Sequence, residues 1–132
     1  MNRYQDWLDQ ARGNLSHAKK SLQMGDYAWA CFAAQQAAEM AAKGLHMKLG
    51  QIAWGHSLLD LLTALPEGSR LDRDFLERVK ILDQYYIPPR YPNAHPAGPA
   101  HRYYNEKEAR EAIELAGEVL AYCERQSLED RP

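Results

Sequence analysis

Apolar residues recur at helical spacing along nearly the whole chain. Over residues 3–24, Tyr4, Trp7, Leu8, Ala11, Leu15, Ala18 and Leu22 fall on one face, the three- and four-residue steps of an amphipathic helix. Asp6 and Asp9 near its start and Lys19 and Lys20 near its end suit the helix dipole. Gly25 is a stop and Asp26 an N-cap for the next segment. Residues 27–49 predict a second helix with the stripe Tyr27, Cys31, Ala34, Ala38, Ala41 and Leu45. Eight alanines lie between Ala28 and Ala42. Small side chains let neighbouring helices approach closely, so this helix is expected at the centre. Gly50 ends it.

Ser57, with Asp60 three residues on, predicts the cap of a short third helix, packed inward by Leu58, Leu61, Leu62 and Leu65. Pro66-Glu67-Gly68-Ser69 predicts a turn. A fourth helix begins near Asp72 and carries Phe75, Val79, Leu82 and Tyr86. It cannot continue through Pro88-Pro89. Asn105 and Glu108 form the N-cap and N3 pair of a last helix, with the stripe Ala109, Ile113, Ala116, Leu120 and Cys123. Residues 127–132 are polar and expected to fray. No segment alternates with the period of a strand. The expected fold is all-α: an antiparallel up-and-down four-helix bundle with an additional short helix, in a single domain over residues 1–132.

Composition narrows the function classes. A chain of 132 residues can bury a core without disulfides or metal. No apolar run approaches the roughly 20 residues of a membrane span, and Met1–Asp6 holds no signal-peptide core. A cytoplasmic protein with no membrane association is expected. Cys31 and Cys123 sit on apolar stripes without a Cys-x-x-Cys pattern and read as reduced core residues. No histidine or carboxylate pair has a metal-ligand spacing, so neither metal nor cofactor is expected. The net charge of −2 gives no overall basic surface for nucleic acid. Any anion must meet a local concentration of positive charge.

That concentration lies in residues 85–104, between the last two long helices. The segment holds two arginines, two histidines, five tyrosines and five of the seven prolines. A helical bundle needs no such loop to fold.

Several stretches carry a resemblance when taken together. They are Trp7, Ala11, Leu15 and Ala18 in the first helix; Tyr27-Ala28-Trp29-Ala30-Cys31-Phe32; Ala37-Ala38-Glu39 with Lys43-Gly44-Leu45; Gly55-His56-Ser57-Leu58-Leu59-Asp60-Leu61-Leu62; and Arg90-Tyr91-Pro92-Asn93. In this order the chain resembles the HEPN domain of prokaryotes over nearly its whole length. The resemblance implies a helical bundle that forms homodimers or higher homo-oligomers. Active members are metal-independent endoribonucleases with an arginine and a histidine four to six residues apart, paired across the dimer. Others accompany a small nucleotidyltransferase as toxin and antitoxin, and some bind nucleotide or mediate assembly.

Arg90 and His95 match that spacing and are the candidate catalytic pair. Histidine moves protons near neutral pH; arginine grips phosphate in a bidentate fork. Arg90, Tyr91, Asn93, His101 and Arg102 are candidate contacts for nucleotide or RNA, with Tyr91, Tyr103 and Tyr104 as stacking surfaces. Pro92 and Pro96 bar regular helix around His95, which allows it to turn away from Arg90. A structural reading stands beside the functional one: Arg90 caps carbonyls at a helix end while Tyr91 and Pro92 pack the turn. Glu39 and Lys43, four apart in the favourable order, are expected to be an interface or structural pair. His56 is expected to cap or pack at a helix start, and His17 and His46 to be helix-surface residues. Trp7, Trp29 and Trp54 are expected in the core or an interface.

Three functions follow: a nucleotide- or RNA-binding module working with a small nucleotidyltransferase, a metal-independent endoribonuclease toxin using Arg90 and His95, and a non-catalytic assembly scaffold. The aromatic content of the second helix suits the last.

Overall fold

A computed structural model of the chain describes residues 2–66 and 71–129. They form α1 (Tyr4–Gln23), α2 (Tyr27–Lys48), α3 (Leu58–Thr63), α4 (Arg73–Asp83) and α5 (Glu106–Ser127), and no strand among the described residues. Three 3-10 turns, Pro88–Arg90, Pro92–Ala94 and Ala100–Tyr103, lie between α4 and α5. The all-α bundle with an additional short helix is what the periodicity predicts.

Helix α2 is the hub. It packs on α1 and α5 along its length, on α3 and α4 at its sides, and on the first and third 3-10 turns. Ala30, Ala34, Ala37, Ala38, Ala41 and Ala42 are buried along it, so neighbouring backbones come close. Gly44 marks a close approach to α1: a Cβ there would stand 3.2 Å from the Trp7 Cβ and 3.3 Å from the Tyr4 carbonyl oxygen. Leu8, Leu15, Leu45, Leu58, Leu82, Val79, Val119 and Leu120 fill the remaining core. Cys31 and Cys123 are free and buried, and loss of solvent pushes both thiols up to about 12.

The helix ends follow the expected chemistry with local differences. Gly25, at φ +80°, closes α1 while the Asp26 amide donates to the Ser21 carbonyl at 2.8 Å, the six-to-one bond of a Schellman end. Asp26 occupies the N-cap of α2 without a side-chain hydrogen bond. Ser57 caps α3 by accepting from the Asp60 amide, Asp72 caps α4 from the Phe75 amide, and Asn105 with Glu108 forms a complete capping box. Helix α4 ends at Asp83, so Tyr86 lies beyond it rather than on its last turn. The Asp83 carboxylate is engaged elsewhere: it accepts from the Leu58 amide at 2.6 Å and the Leu59 amide at 3.0 Å. It thus satisfies the open donors at the start of α3.

Three expectations need correction. His46 is buried, not at the helix surface; its ring is bound at both nitrogens, to the Gln51 side chain at 2.8 Å and the Leu61 carbonyl at 2.5 Å. Of the core and interface places expected for the tryptophans, the core is excluded for Trp29 and Trp54, which are exposed, while Trp7 is half-buried. Ser127 is the last residue of α5, donating to the Glu124 carbonyl, rather than the start of a frayed tail. Residues 130–132 lie outside the described residues, as does the turn expected at Pro66–Ser69 beyond Pro66 itself. No described helix is long and apolar enough to cross a membrane.

Candidate functional site

The loop is regular in its own way. Its first two 3-10 turns begin with Pro88 and Pro92, and the third follows Pro99. Proline pre-sets φ and surrenders an amide that a first turn cannot use. Between turns the backbone is extended at Tyr91, His95 and Tyr104. Pro89 and Ala100 are buried, and their turns pack on α2, so the loop is pinned at two points and presents what lies between.

Arg90 occupies the first pinned turn and is half-buried. Its Nε donates to the Tyr86 carbonyl at 2.8 Å. Its guanidinium carbon lies 4.3 Å from the Phe32 ring centroid, 4.9 Å from that of Tyr86 and 5.3 Å from that of Tyr91. Arg90 therefore holds a carbonyl as expected, but one beyond the end of α4 rather than on its last turn. It uses one nitrogen only, and the two terminal nitrogens have no protein hydrogen-bond partner among the described residues. Three aromatic faces hold the plane of the fork.

His95 is held separately. Its Nε2 donates to the Pro88 carbonyl at 2.8 Å, which leaves Nδ1 as the proton acceptor of the neutral ring. The ring stacks on Tyr103 at 4.3 Å and meets the edge of Tyr104 at 5.6 Å. Tyr103 in turn donates to the Ala97 carbonyl. No hydrogen bond or ring contact joins Arg90 to His95 within the chain, among the described residues. Tyr104 has its hydroxyl pushed up to about 12 by burial, with Cys31 and Glu108 adding to the effect. Tyr85 is raised by the same cause. Neither phenol serves as a base near neutral pH.

The other candidate contacts lie further along. Tyr91, Asn93, His101 and Arg102 are exposed. Arg102 folds back across Gly98, where a Cβ would meet its Nη1 at 2.6 Å. Thus Tyr91 joins Arg90, whereas Arg102 packs within its own half of the loop.

The Glu39–Lys43 pair is present at 3.1 Å, with Glu39 only 1% exposed. It belongs to a larger network. His56 donates from Nδ1 to the same carboxylate at 3.2 Å. Gln35 donates to it at 3.2 Å and to the His56 carbonyl at 3.4 Å. The His56 ring stacks on Tyr86 at 4.2 Å, and Tyr86 is one of the three rings around Arg90. Glu39 and Arg90, distant in sequence, are two ends of one contiguous cluster. His56 does pack at a helix start as expected, but its bond to Glu39 was not legible from its neighbours. The one hint was a glutamine and a glutamate four apart in an alanine-rich helix.

The cluster offers an anchored cation with two open donors, ringed by aromatic side chains, at the edge of a helical bundle. Among the described residues no group of three His, Cys, Asp or Glu side chains is placed to hold a metal ion. Fold and site together define a class: a small all-α module built around an alanine-rich central helix, presenting an arginine from a proline-segmented loop.

The chain belongs to the HEPN domain family, whose model matches residues 4–126. It is 63% identical to TT1696 from Thermus thermophilus, whose crystal structure superposes with a TM-score of 0.93 over 96% of this chain and 99% of that one. It is 38% identical to ST0689, described as an archaeal HEPN homologue, with a TM-score of 0.80 over 96% and 99% of the two chains. A HEPN domain protein from Thermotoga maritima is 35% identical, with a TM-score of 0.72 over 91% and 95%. No curated protein matches the chain.

Proposed function

We propose that the chain is a nucleotide- or RNA-binding HEPN module. In this reading it acts as a homodimer or higher homo-oligomer beside a small nucleotidyltransferase, in the manner of a toxin–antitoxin pair. The observation that carries the binding claim is Arg90. Its guanidinium is fixed through Nε and by three rings, while both terminal nitrogens remain open. A planar fork held in this way matches two phosphate oxygens with little ordering cost. Exposed Tyr91 adds a stacking face beside it.

Titration with ribonucleoside monophosphates and a short single-stranded RNA tests the claim. Arg90→Ala is expected to abolish binding, and Arg90→Lys to weaken it because one ammonium cannot reproduce the fork. Unchanged affinity in Arg90→Ala sinks the reading.

A second reading, metal-independent endoribonuclease, is favoured by the Arg90–His95 spacing and by the unused Nδ1 of His95. It expects RNA cleavage in EDTA that disappears in both Arg90→Ala and His95→Ala. Stable self-association with neither binding nor cleavage would instead favour an assembly scaffold.

A further inference from the structure

Phe32 has two neighbours that matter. On one side is the Arg90 guanidinium, 4.3 Å from its centroid. On another is Trp29, meeting it edge to face at 6.1 Å. Trp29 is 53% exposed, which is costly for the largest aromatic side chain unless something covers it. Both rings line a hollow of about 410 Å³ between α1 and α2, within the range of small-molecule sites. Its other walls are mixed: Gln10, Asn14, His17 and Gln36 are polar, and Ala33 and Met40 apolar.

Those polar groups are only partly used. Gln36 donates to the Gln35 side chain at 2.7 Å, which leaves its oxygen open. Gln10 donates to the Asn14 oxygen at 3.0 Å, which leaves the Gln10 oxygen and the Asn14 amide nitrogen open. The hollow therefore combines two aromatic walls with both donors and acceptors at its edge. A nucleobase uses both: the two rings stand at 76° to one another, so one of them offers a flat face to stack on, beside an edge of mixed hydrogen-bonding groups. A larger hollow, about 610 Å³, lies near the end of α1 and the start of α5, with Lys19 and Arg110 among its walls. It shares no residue with the Arg90 cluster, and Tyr27 is its one aromatic wall.

We infer that the α1–α2 hollow receives the nucleobase of a ribonucleotide whose phosphate is held by Arg90, with Trp29 as the stacking surface and Gln36 reading the base edge. This rests on the proposed nucleotide-binding role and adds a second half to that site. Phe32 joins the halves, one ring separating the phosphate fork from the base.

Calorimetric titration with AMP, GMP, CMP, UMP and base-free ribose 5-phosphate tests the inference. At least one nucleotide is expected to bind about 10-fold or more tighter than ribose 5-phosphate, given the usual worth of stacking. Trp29→Ala should bring that nucleotide down to the level of ribose 5-phosphate while leaving ribose 5-phosphate itself unchanged. Trp29→Phe, which keeps a ring, should retain most of the affinity, and Gln36→Ala should narrow the preference among the four bases. Arg90→Ala should abolish binding of every probe. Arg90-dependent binding that ignores Trp29→Ala overturns the base pocket and leaves the phosphate reading standing. An equal loss for nucleotide and ribose 5-phosphate in Trp29→Ala also overturns it. If the wild type binds none of the probes, both fail. A change in sedimentation in Trp29→Ala with unaltered nucleotide affinity would assign the hollow to self-association and overturn the inference.

Discussion

Glu39 gives the sharpest test of how the cluster is held. Its carboxylate is 1% exposed and receives Lys43 at 3.1 Å, with Lys43 itself only 15% exposed. His56 and Gln35 complete its bonds, each at 3.2 Å. Glu39→Gln keeps the shape but removes the charge, leaving a mostly buried ammonium without a counter-ion. Breaking one side of a buried pair costs about 3–5 kcal/mol when neither group can escape. Here Lys43 can swing its ammonium outward along a flexible stem, and His56, with its side chain 53% exposed, can turn toward solvent. The expected loss is therefore nearer ~2 kcal/mol, or a fall in Tm of roughly 8 °C for a chain of this size. Lys43→Met alone leaves Glu39 with two donors. The double variant should be less destabilised than the sum of the singles by about 1–2 kcal/mol. Urea unfolding followed by circular dichroism measures all three. A cost below about 0.5 kcal/mol for Glu39→Gln, or strict additivity, would refute the view that the pair is a buried, coupled unit.

Other expectations can be checked in the same way. Gly13→Ala and Gly117→Ala, which meet nothing within 4 Å in mid-helix, should each stabilise by roughly 0.5–1 kcal/mol. Gly44→Ala should lose that gain and destabilise, because the Trp7 Cβ and the Tyr4 carbonyl cannot step aside without moving α1; thermal melts of the three variants decide it. Asp83→Ala should cost about 1–2 kcal/mol and raise hydrogen exchange at the Leu58 and Leu59 amides, which Asp83 now accepts from. The Arg78 guanidinium holds the Glu118 carboxyl below the usual carboxylate range. Its stabilisation is present above the unfolded-state pKa of Glu118 and is lost as pH falls through the lowered native value. Because both side chains are more than a third exposed, the Arg78→Ala difference should be at most about 0.5–1 kcal/mol near neutral pH. It should vanish in strong acid when stability is measured against pH.

The helices were legible because burial on one face leaves a period in the sequence, and their caps because each cap bonds within a turn of itself. Asn105 with Glu108 and Ser57 with Asp60 are such local pairs. The loop stood out by its prolines and aromatic residues. What could not be read was which polar group meets which across helices. Asp83 reaches back to α3, His46 buries its ring against the Leu61 carbonyl, and the His56 ring finds the carboxylate of Glu39 on α2. Periodicity records that a face is buried and says nothing of its partner. The Arg90–His95 spacing points to the loop between α4 and α5. Yet the carbonyls of Tyr86 and Pro88 claim one nitrogen from each side chain, and only the folded loop reveals which nitrogens stay free.

The central claim is that a ligand phosphate meets the open nitrogens of Arg90. The most direct measurement is nitrogen–proton correlation spectroscopy of the labelled protein during titration with a short single-stranded RNA. The account predicts that the Arg90 side-chain resonances and the backbone amides of Phe32, Tyr86 and Tyr91 shift together and saturate, and that Arg90→Ala removes the response. Saturable shifts confined to other surfaces, or unchanged shifts in Arg90→Ala, would contradict it.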